Sequence, residues 1–189
     1  VESVAAALKR WHDAGFSQRL TFNIGARHFS RPDFFGRLRG ALDRAGAPIS
    51  LLELEINEAM AMKSGPAVIA ELAALRADGA TIAIDNFGTG LSNLGRLREV
   101  PLDRIKLDAS LTHDVDTSDM ARTVVAALIH LINGLGCEVV GEKVERREQL
   151  DVLRAVGCDS VQGHVFAQPM SEADFLAWIA GRQKRLRIA

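Results

Sequence analysis

The chain has little of several features that would place it in a specialised class. Its 189 residues include only two cysteines, Cys137 and Cys158, which lack the Cys-x-x-Cys spacing of zinc and redox sites. Its formal net charge is −1, so bulk charge does not favour binding to DNA, RNA or an anionic membrane. No apolar run approaches the ~20 residues of a membrane helix, and the first residues lack the basic start and apolar core of a signal peptide. We therefore expect a cytoplasmic protein with reduced cysteines, no nucleic-acid partner and no membrane segment.

Two further absences narrow the chemistry. The histidines are scattered without metal-ligand spacing, which argues against a histidine metal site. No Gly-x-Gly-x-x-Gly follows any predicted strand, which weakens the case for a dinucleotide-binding, doubly wound sheet.

What the sequence does contain is a regular alternation of short apolar runs and helical patterns. The strands are predicted at 20–24, 51–56, 82–84, 104–108, 137–142 and 160–166. The helices are predicted at 3–14, 34–45, 66–78, 91–98, 120–135, 147–156 and 173–180. Such alternation predicts βαβ units and an α/β fold with a parallel sheet, either open and doubly wound or closed as a barrel.

Polar side chains stand at or beside the C-terminal end of every predicted strand. They are Asn23, Glu55, Glu58, Asp85, Lys106, Asp108, Glu142, Glu145 and Gln162. Polar groups at many strand ends, rather than at one switch point, favour the barrel. Two of these residues have structural alternatives: Asn23 could make a turn, and the charge of Glu58 could stabilise the N-terminus of a helix. Asp85 and Lys106 are harder to explain structurally, because a charge at the end of a buried strand needs a partner. Only six strands are present where a barrel closes with eight.

Taken in order, the motifs resemble the EAL family of bacterial cyclic di-GMP phosphodiesterases over nearly the whole chain. The matching segments are F-N-I-G-A-R-H-F at 22–29, L-E-I-N-E at 54–58, D-N-F-G-T-G at 85–90, I-K-L-D at 105–108, E-K-V-E at 142–145 and Q-G-H at 162–164, with Gln149 and Pro169 at family-like distances. The resemblance implies a TIM-like (βα)₈-type barrel whose first two strands, including the one with the E-A-L signature Glu, are absent from this chain. We therefore expect residues 1–189 to form a single, N-terminally incomplete EAL-like domain.

The resemblance also implies hydrolysis of a phosphodiester with Mg²⁺ or Mn²⁺. One ion would be held by Asn23, Glu55 and Asp85 with the absent signature Glu, and the second by Asp85 and Asn86. Glu142 and Lys106 would be catalytic, acting on the attacking water and the phosphate. The remaining implied roles are ligand binding by Arg27, Asp108, Gln162 and Pro169, and anchoring of the loop after the third strand by Glu58, Gly88 and Thr89.

Four positions depart from the family pattern, in which Asn86 is an Asp, Lys143 a Gly, and His164 and Leu91 are aromatic. Mg²⁺ and Mn²⁺ prefer carboxylates to amides, so the loss of an acid at 86 should weaken the second ion. We therefore expect an impaired domain that binds cyclic di-GMP as a regulatory module, in a homodimer or beside flanking signalling domains. The alternatives are an active phosphodiesterase that produces linear pGpG, and an interaction scaffold that binds no nucleotide.

Overall fold

A computed structural model describes residues 1–90 and 94–186 of the chain, with residue 94 and residues 182–186 described by backbone alone. Its strands are β1 Leu20–Asn23, β2 Leu52–Asn57, β3 Thr81–Phe87, β4 Arg104–Leu107, β5 Glu138–Gly141 and β6 Ser160–Val161. Its helices are α1 Glu2–Asp13, α2 Ala26–Phe29, α3 Phe34–Ala45, α4 Glu58–Lys63, α5 Pro66–Ala77, α6 Leu94–Leu97, α7 Ala109–Thr112, α8 Asp119–Gly134, α9 Arg147–Ala155 and α10 Glu172–Leu186, with a 3₁₀ turn at Ile49–Leu51.

The six strands form one sheet in the order β1-β2-β3-β4-β5-β6, and every neighbouring pair is parallel. The sheet curls into a half-barrel, which confirms the predicted TIM-like architecture with six strands. Parallel strands are buried on both faces, which explains why Ile82, Ala83 and Ile84 are all buried. Because all strands run the same way, all their C-terminal ends lie at one end of the sheet.

The helices cover the sheet through the apolar faces that the sequence predicts. In α3 the buried residues include Phe35, Leu38 and Leu42, spaced by the helical period. The helix ends at Gly46, whose φ of 62° lies in the left-handed region that glycine adopts without strain. This packing holds the strands in place and leaves their C-terminal ends accessible.

Three predicted elements differ from the structure. The sixth strand is much shorter than 160–166, because the chain turns at Gly163, which lies against the backbone of Val144. The approach is so close that a Cβ on Gly163 would lie 2.1 Å from the oxygen of Val144. The last helix, predicted at 173–180, extends to Leu186. Of the helix predicted at 91–98, only α6 is described, and Leu91 lies outside the described residues.

The first and last helices contact each other beside the open side of the half-barrel. The Glu172 carboxylate accepts hydrogen bonds from Arg10 at 2.9 Å and from Trp11 Nε1 at 2.9 Å. The rings of Trp11 and Phe175 stack with their centroids 5.2 Å apart. These contacts fix α10 against α1.

Two sequence predictions can be compared directly with this fold. Cys137 and Cys158 are both free thiols, and Cys137 is buried as expected. In the part of the chain that the structure describes, no helix is both long enough and apolar enough to cross a bilayer.

Candidate active site

The C-terminal tip of β3 departs from regular strand geometry. The register between β3 and β4 shifts between Ile84 and Phe87, a β-bulge of the kind that redirects side chains beside functional sites. Within it, Asn86 has a φ of 53°, a left-handed conformation that asparagine tolerates better than most residues. Its backbone N–H donates to Asp85 Oδ1 at 2.9 Å and its side-chain amide donates to Oδ2 at 2.7 Å. Both oxygens of the Asp85 carboxylate therefore accept hydrogen bonds from the next residue.

Three carboxylates converge on the ammonium group of Lys106. Lys106 Nζ lies 2.5 Å from Glu55 Oε1 and 2.7 Å from Glu142 Oε1. It lies 3.8 Å from Asp85 Oδ1. The side chains of Lys106 and Glu55 are only 6% and 1% exposed, and such burial is sustained because each charge has a partner. We call these four residues the Lys106 cluster.

Burial controls the protonation of this cluster. It raises the pKa of Glu55 and of Glu142, since the loss of water around each carboxylate outweighs the attraction of Lys106. Burial acts to lower the pKa of Lys106, but its pairing with Glu142 and Glu55 outweighs burial and raises that pKa. Lys106 is therefore a fixed cation at neutral pH, and the raised pKa values of Glu55 and Glu142 mean that these two carboxylates accept protons more readily than free side chains do.

The Lys106 cluster faces a cavity of about 400 Å³, which we call the strand-tip cavity. Asn23, Asn86 and Gln162 also line it. Seven of the residues proposed from the sequence therefore meet at one place, although they come from four different strands and from the residues directly after β5 and β6. The convergence follows from the parallel sheet, which brings all strand ends to the same end of the half-barrel.

The loop after β3 is tied to the first turn of α4. Gly88 N–H donates to Glu58 Oε2 at 3.0 Å, and Glu58 is buried. Gly88 has a φ of 99°, and a Cβ there would lie 2.5 Å from Leu111 Cδ1, so the position requires glycine. Thr89 Oγ1 donates to the carbonyl of Asn86 at 3.0 Å. The three residues expected to anchor this loop thus make contacts that hold it, although the anchoring role itself stays a prediction.

Three residues expected to bind ligand lie elsewhere. Arg27 is exposed on α2 and does not line the strand-tip cavity. Asp108 caps α7, where its carboxylate accepts the backbone N–H of Ser110 at 2.9 Å. Pro169 lines a larger cavity of about 780 Å³, which shares Glu142 and Gln162 with the strand-tip cavity. Their ligand-binding roles stay predictions.

Sequence reasoning did not select two residues that line the strand-tip cavity, Thr21 and Lys143. Thr21 precedes Asn23 by two positions and so shares its face of β1; this spacing could have identified it. Lys143 stood out as a departure from the family pattern, but its φ of 50° is visible only in the structure.

The residues fit the two implied metal ions unequally. Asn23, Glu55 and Asp85 bring amide and carboxylate oxygens to one cavity, and hard divalent cations prefer such ligands. In the described ranges, however, no three Asp, Glu, His or Cys side chains are grouped as a metal site requires, because the carboxylates surround Lys106 instead. In the pair implied for the second ion, the neutral amide of Asn86 donates to Asp85 Oδ2, so that oxygen is already engaged and Asn86 adds no negative charge beside it. The donor set therefore suits one ion and does not suit a second.

Comparisons with known proteins agree with the geometry. A family model described as the EAL domain matches residues 1–169. The cyclic di-GMP phosphodiesterase NbdA of Pseudomonas aeruginosa is 37% identical over 164 residues, which are 86% of this chain but only 21% of NbdA. The chain thus spans about a fifth of the length of that relative.

Solved structures show the same architecture. The crystal structure of the EAL domain of Mycobacterium smegmatis DcpA superposes with a TM-score of 0.87 at 26% identity, covering 95% of this chain and 81% of that one. A manganese and cyclic di-GMP complex of Klebsiella pneumoniae BlrP1 superposes with a TM-score of 0.77 at 32% identity, covering 89% and 43% of the two chains.

Proposed function

The chain belongs to the EAL domain family, and on that premise we propose that it binds cyclic di-GMP as a regulatory module with impaired phosphodiesterase activity. The binding half of the proposal is supported by the Lys106 cluster, which gathers the polar strand ends at one cavity. A pure scaffold has no physical need for so many buried charges at one place, since each is costly to desolvate. The relatives named above supply the identity of the ligand.

The impairment rests on one observation, the closure of Asn86 onto Asp85. The amide at 86 is neutral where the family pattern has a carboxylate, and it donates to Asp85 at 2.7 Å. A metal-activated water requires cations to lower its pKa, and this arrangement lacks one of the anionic ligands that hold them. Mg²⁺ or Mn²⁺ remains the expected ion, bound through Asn23, Glu55 and Asp85 and more weakly than in an intact site.

The experiment is to follow cyclic di-GMP and linear pGpG by chromatography, with Mg²⁺ or Mn²⁺, for the gene product that contains these residues. We expect turnover well below the ~1 s⁻¹ that is ordinary for enzymes. The variant Asn86→Asp restores the anionic ligand and should raise turnover by about tenfold or more, since a charged ligand interaction is worth at least ~1.4 kcal/mol.

The second candidate function is an active phosphodiesterase. The retained Lys106 cluster favours it, because Glu55, Asp85 and Glu142 all remain within 3.8 Å of one cation. Turnover near or above ~1 s⁻¹ by the unmodified protein would establish this candidate and reject impairment. Absence of any cyclic di-GMP binding by calorimetry would reject both and leave the interaction scaffold.

The setting of the domain belongs to the same proposal. Because the chain covers only 21% of NbdA, we expect flanking signalling domains to supply its input, with a homodimer as the other expected partner. A cytoplasmic location is consistent with the two free thiols, which persist in reducing compartments.

A further inference from the structure

Two residues on the rim of the strand-tip cavity share an unusual backbone conformation. Among the described residues, Asn86 and Lys143 are the non-glycine residues with positive φ, at 53° and 50°, and both line this cavity. For a residue such as lysine the left-handed region costs about 1–2 kcal/mol. Strain of this kind persists where the surrounding structure enforces it, and it concentrates at functional sites.

The same two positions change the charge of the rim. Relative to the motifs D-D-F-G-T-G and E-G-V-E, Asn86 removes one negative charge and Lys143 adds one positive charge. Together the two substitutions make the rim more positive by two charge units, which equals the charge of one divalent cation. Both changes fall beside the place where the donor set does not suit a second ion.

The position of Lys143 suits a contact with phosphate. It follows Glu142 of the Lys106 cluster, is exposed, and lines both the strand-tip cavity and the larger cavity that contains Pro169. Within the described residues, no carboxylate forms an ion pair with it. Hydrogen bonds from Ser110 are the main cause of the lowered pKa of Asp108, and the positive charge of Lys143 lowers it further. The Lys143 ammonium, which follows β5, therefore influences a carboxylate that follows β4.

We propose that Lys143 binds a phosphate oxygen of the cyclic dinucleotide in place of a second divalent cation, so that this domain holds its ligand without needing two metal ions. The inference rests on the proposed binding of cyclic di-GMP and adds a residue and a charge mechanism to it. Asn86 contributes by closing onto Asp85 and removing the anion that would otherwise compete for the ammonium. No bond is made or broken in this step; the phosphate is held by a charge-assisted hydrogen bond.

The test is calorimetric titration of the gene product with cyclic di-GMP, once with Mn²⁺ and once in the presence of EDTA. The unmodified protein should bind, and Lys143→Gly should weaken binding by about tenfold or more, the usual worth of a hydrogen bond to a charged group. Lys143→Arg should retain most of the affinity. Lys63→Gln, which removes an exposed lysine of α4, should change nothing. Lys143→Gly also relieves the left-handed strain, so its thermal unfolding should occur at an equal or higher temperature, which separates lost binding from lost folding.

A second readout counts ions directly. Titration with Mn²⁺, followed by electron paramagnetic resonance, should show one bound ion for the unmodified protein and two for the double variant Asn86→Asp, Lys143→Gly. Two ions on the unmodified protein, or equal affinity of Lys143→Gly and the unmodified protein in EDTA, would overturn the inference.

The outcomes also separate this inference from the proposed function. If Lys143→Gly binds cyclic di-GMP as tightly as the unmodified protein, in EDTA and in Mn²⁺ alike, the inference about Lys143 fails while the binding function stands. If the unmodified protein binds neither in EDTA nor in Mn²⁺, both fail.

Discussion

The interior of the half-barrel holds two ionic clusters, one above the other on the same strands. We expect one of them to stabilise the fold and the other to bind ligand. In the first, which we call the Arg104 cluster, Arg104 pairs with Glu53 and with Glu138, each at 2.7 Å. The second is the Lys106 cluster. Two positions along β2 separate Glu53 from Glu55, and two along β4 separate Arg104 from Lys106, so each pair projects from one face of its strand.

The two clusters differ in charge balance and in the choice of cation. Arg104 pairs with two carboxylates, and its planar guanidinium holds two oxygens in fixed directions. Lys106 faces three carboxylates with a single compact ammonium. A lysine on a flexible stem can move when another cation or a phosphate arrives, whereas an arginine fork is held in place. The same alternating strand pattern therefore supports a structural ion-pair cluster around Arg104. Two residues further along the strands it supports a site around Lys106, in which three carboxylates face one cation.

The largest expected effect is that of Lys106→Met. It leaves buried carboxylates without their cation, and breaking a buried ion pair costs about 3–5 kcal/mol. Urea unfolding should show this loss of stability, and added Mn²⁺ should restore part of it by binding the exposed oxygens. Lys63→Met, at an exposed position, is the matched control. Equal stability of Lys106→Met and the unmodified protein would mean that the cluster does not form.

Arg104→Met should have a smaller effect on stability and none on the ligand. The side chain is 24% exposed and one of its partners, Glu138, is 57% exposed, so water compensates part of the lost pairing. We expect a loss of about 1–3 kcal/mol by urea unfolding, mainly because Glu53 remains buried. Cyclic di-GMP affinity of the folded variant should be unchanged. A tenfold loss of affinity would contradict the division between a structural and a functional cluster.

The smallest effect is expected at Asp108, which caps α7 and whose ligand-binding role stays a prediction. Asp108→Ala should cost about 1 kcal/mol, whereas Asp108→Asn keeps the acceptor for Ser110 and should cost little. The hydrogen bonds from Ser110 hold the pKa of Asp108 below its ordinary 3.8 in the folded chain. Its charged form therefore contributes stability above pH 3.8, and this contribution is lost as the pH falls through the folded pKa.

The measurement is the unfolding free energy of the unmodified protein and of Asp108→Asn between neutral and acid pH. Their difference should shrink as the pH falls below 3.8, because asparagine does not titrate. A difference that is constant with pH would exclude the carboxylate as the cap.

The sequence sufficed to predict the six strands and the polar residues at or near their C-terminal ends. Ile82, Ala83 and Ile84 form a buried run that stops at an acid, and such a run must place Asp85 at a strand end. The same reasoning located Glu55, Lys106 and Glu142, because alternation along a strand and the shared direction of parallel strands are properties of the pattern itself.

What the sequence could not supply depends on contacts between distant segments. The bulge at Asp85 and Asn86 arises from the register of β3 against β4, which no local pattern encodes. The resemblance implied ligand binding by Asp108, but no local pattern indicated that the chain turns into α7 there and uses the carboxylate as a cap. The sixth strand was predicted too long because the approach of Gly163 to Val144 is a tertiary contact.

The hydrogen bond from Gly88 to Glu58 has a mechanical consequence. Asp85 and Gly88 lie three residues apart on one stiff segment, so a ligand that draws the Asp85 carboxylate toward itself must also pull Gly88 away from α4 or carry α4 with it. Movement at the strand-tip cavity is thereby coupled to the position of α4.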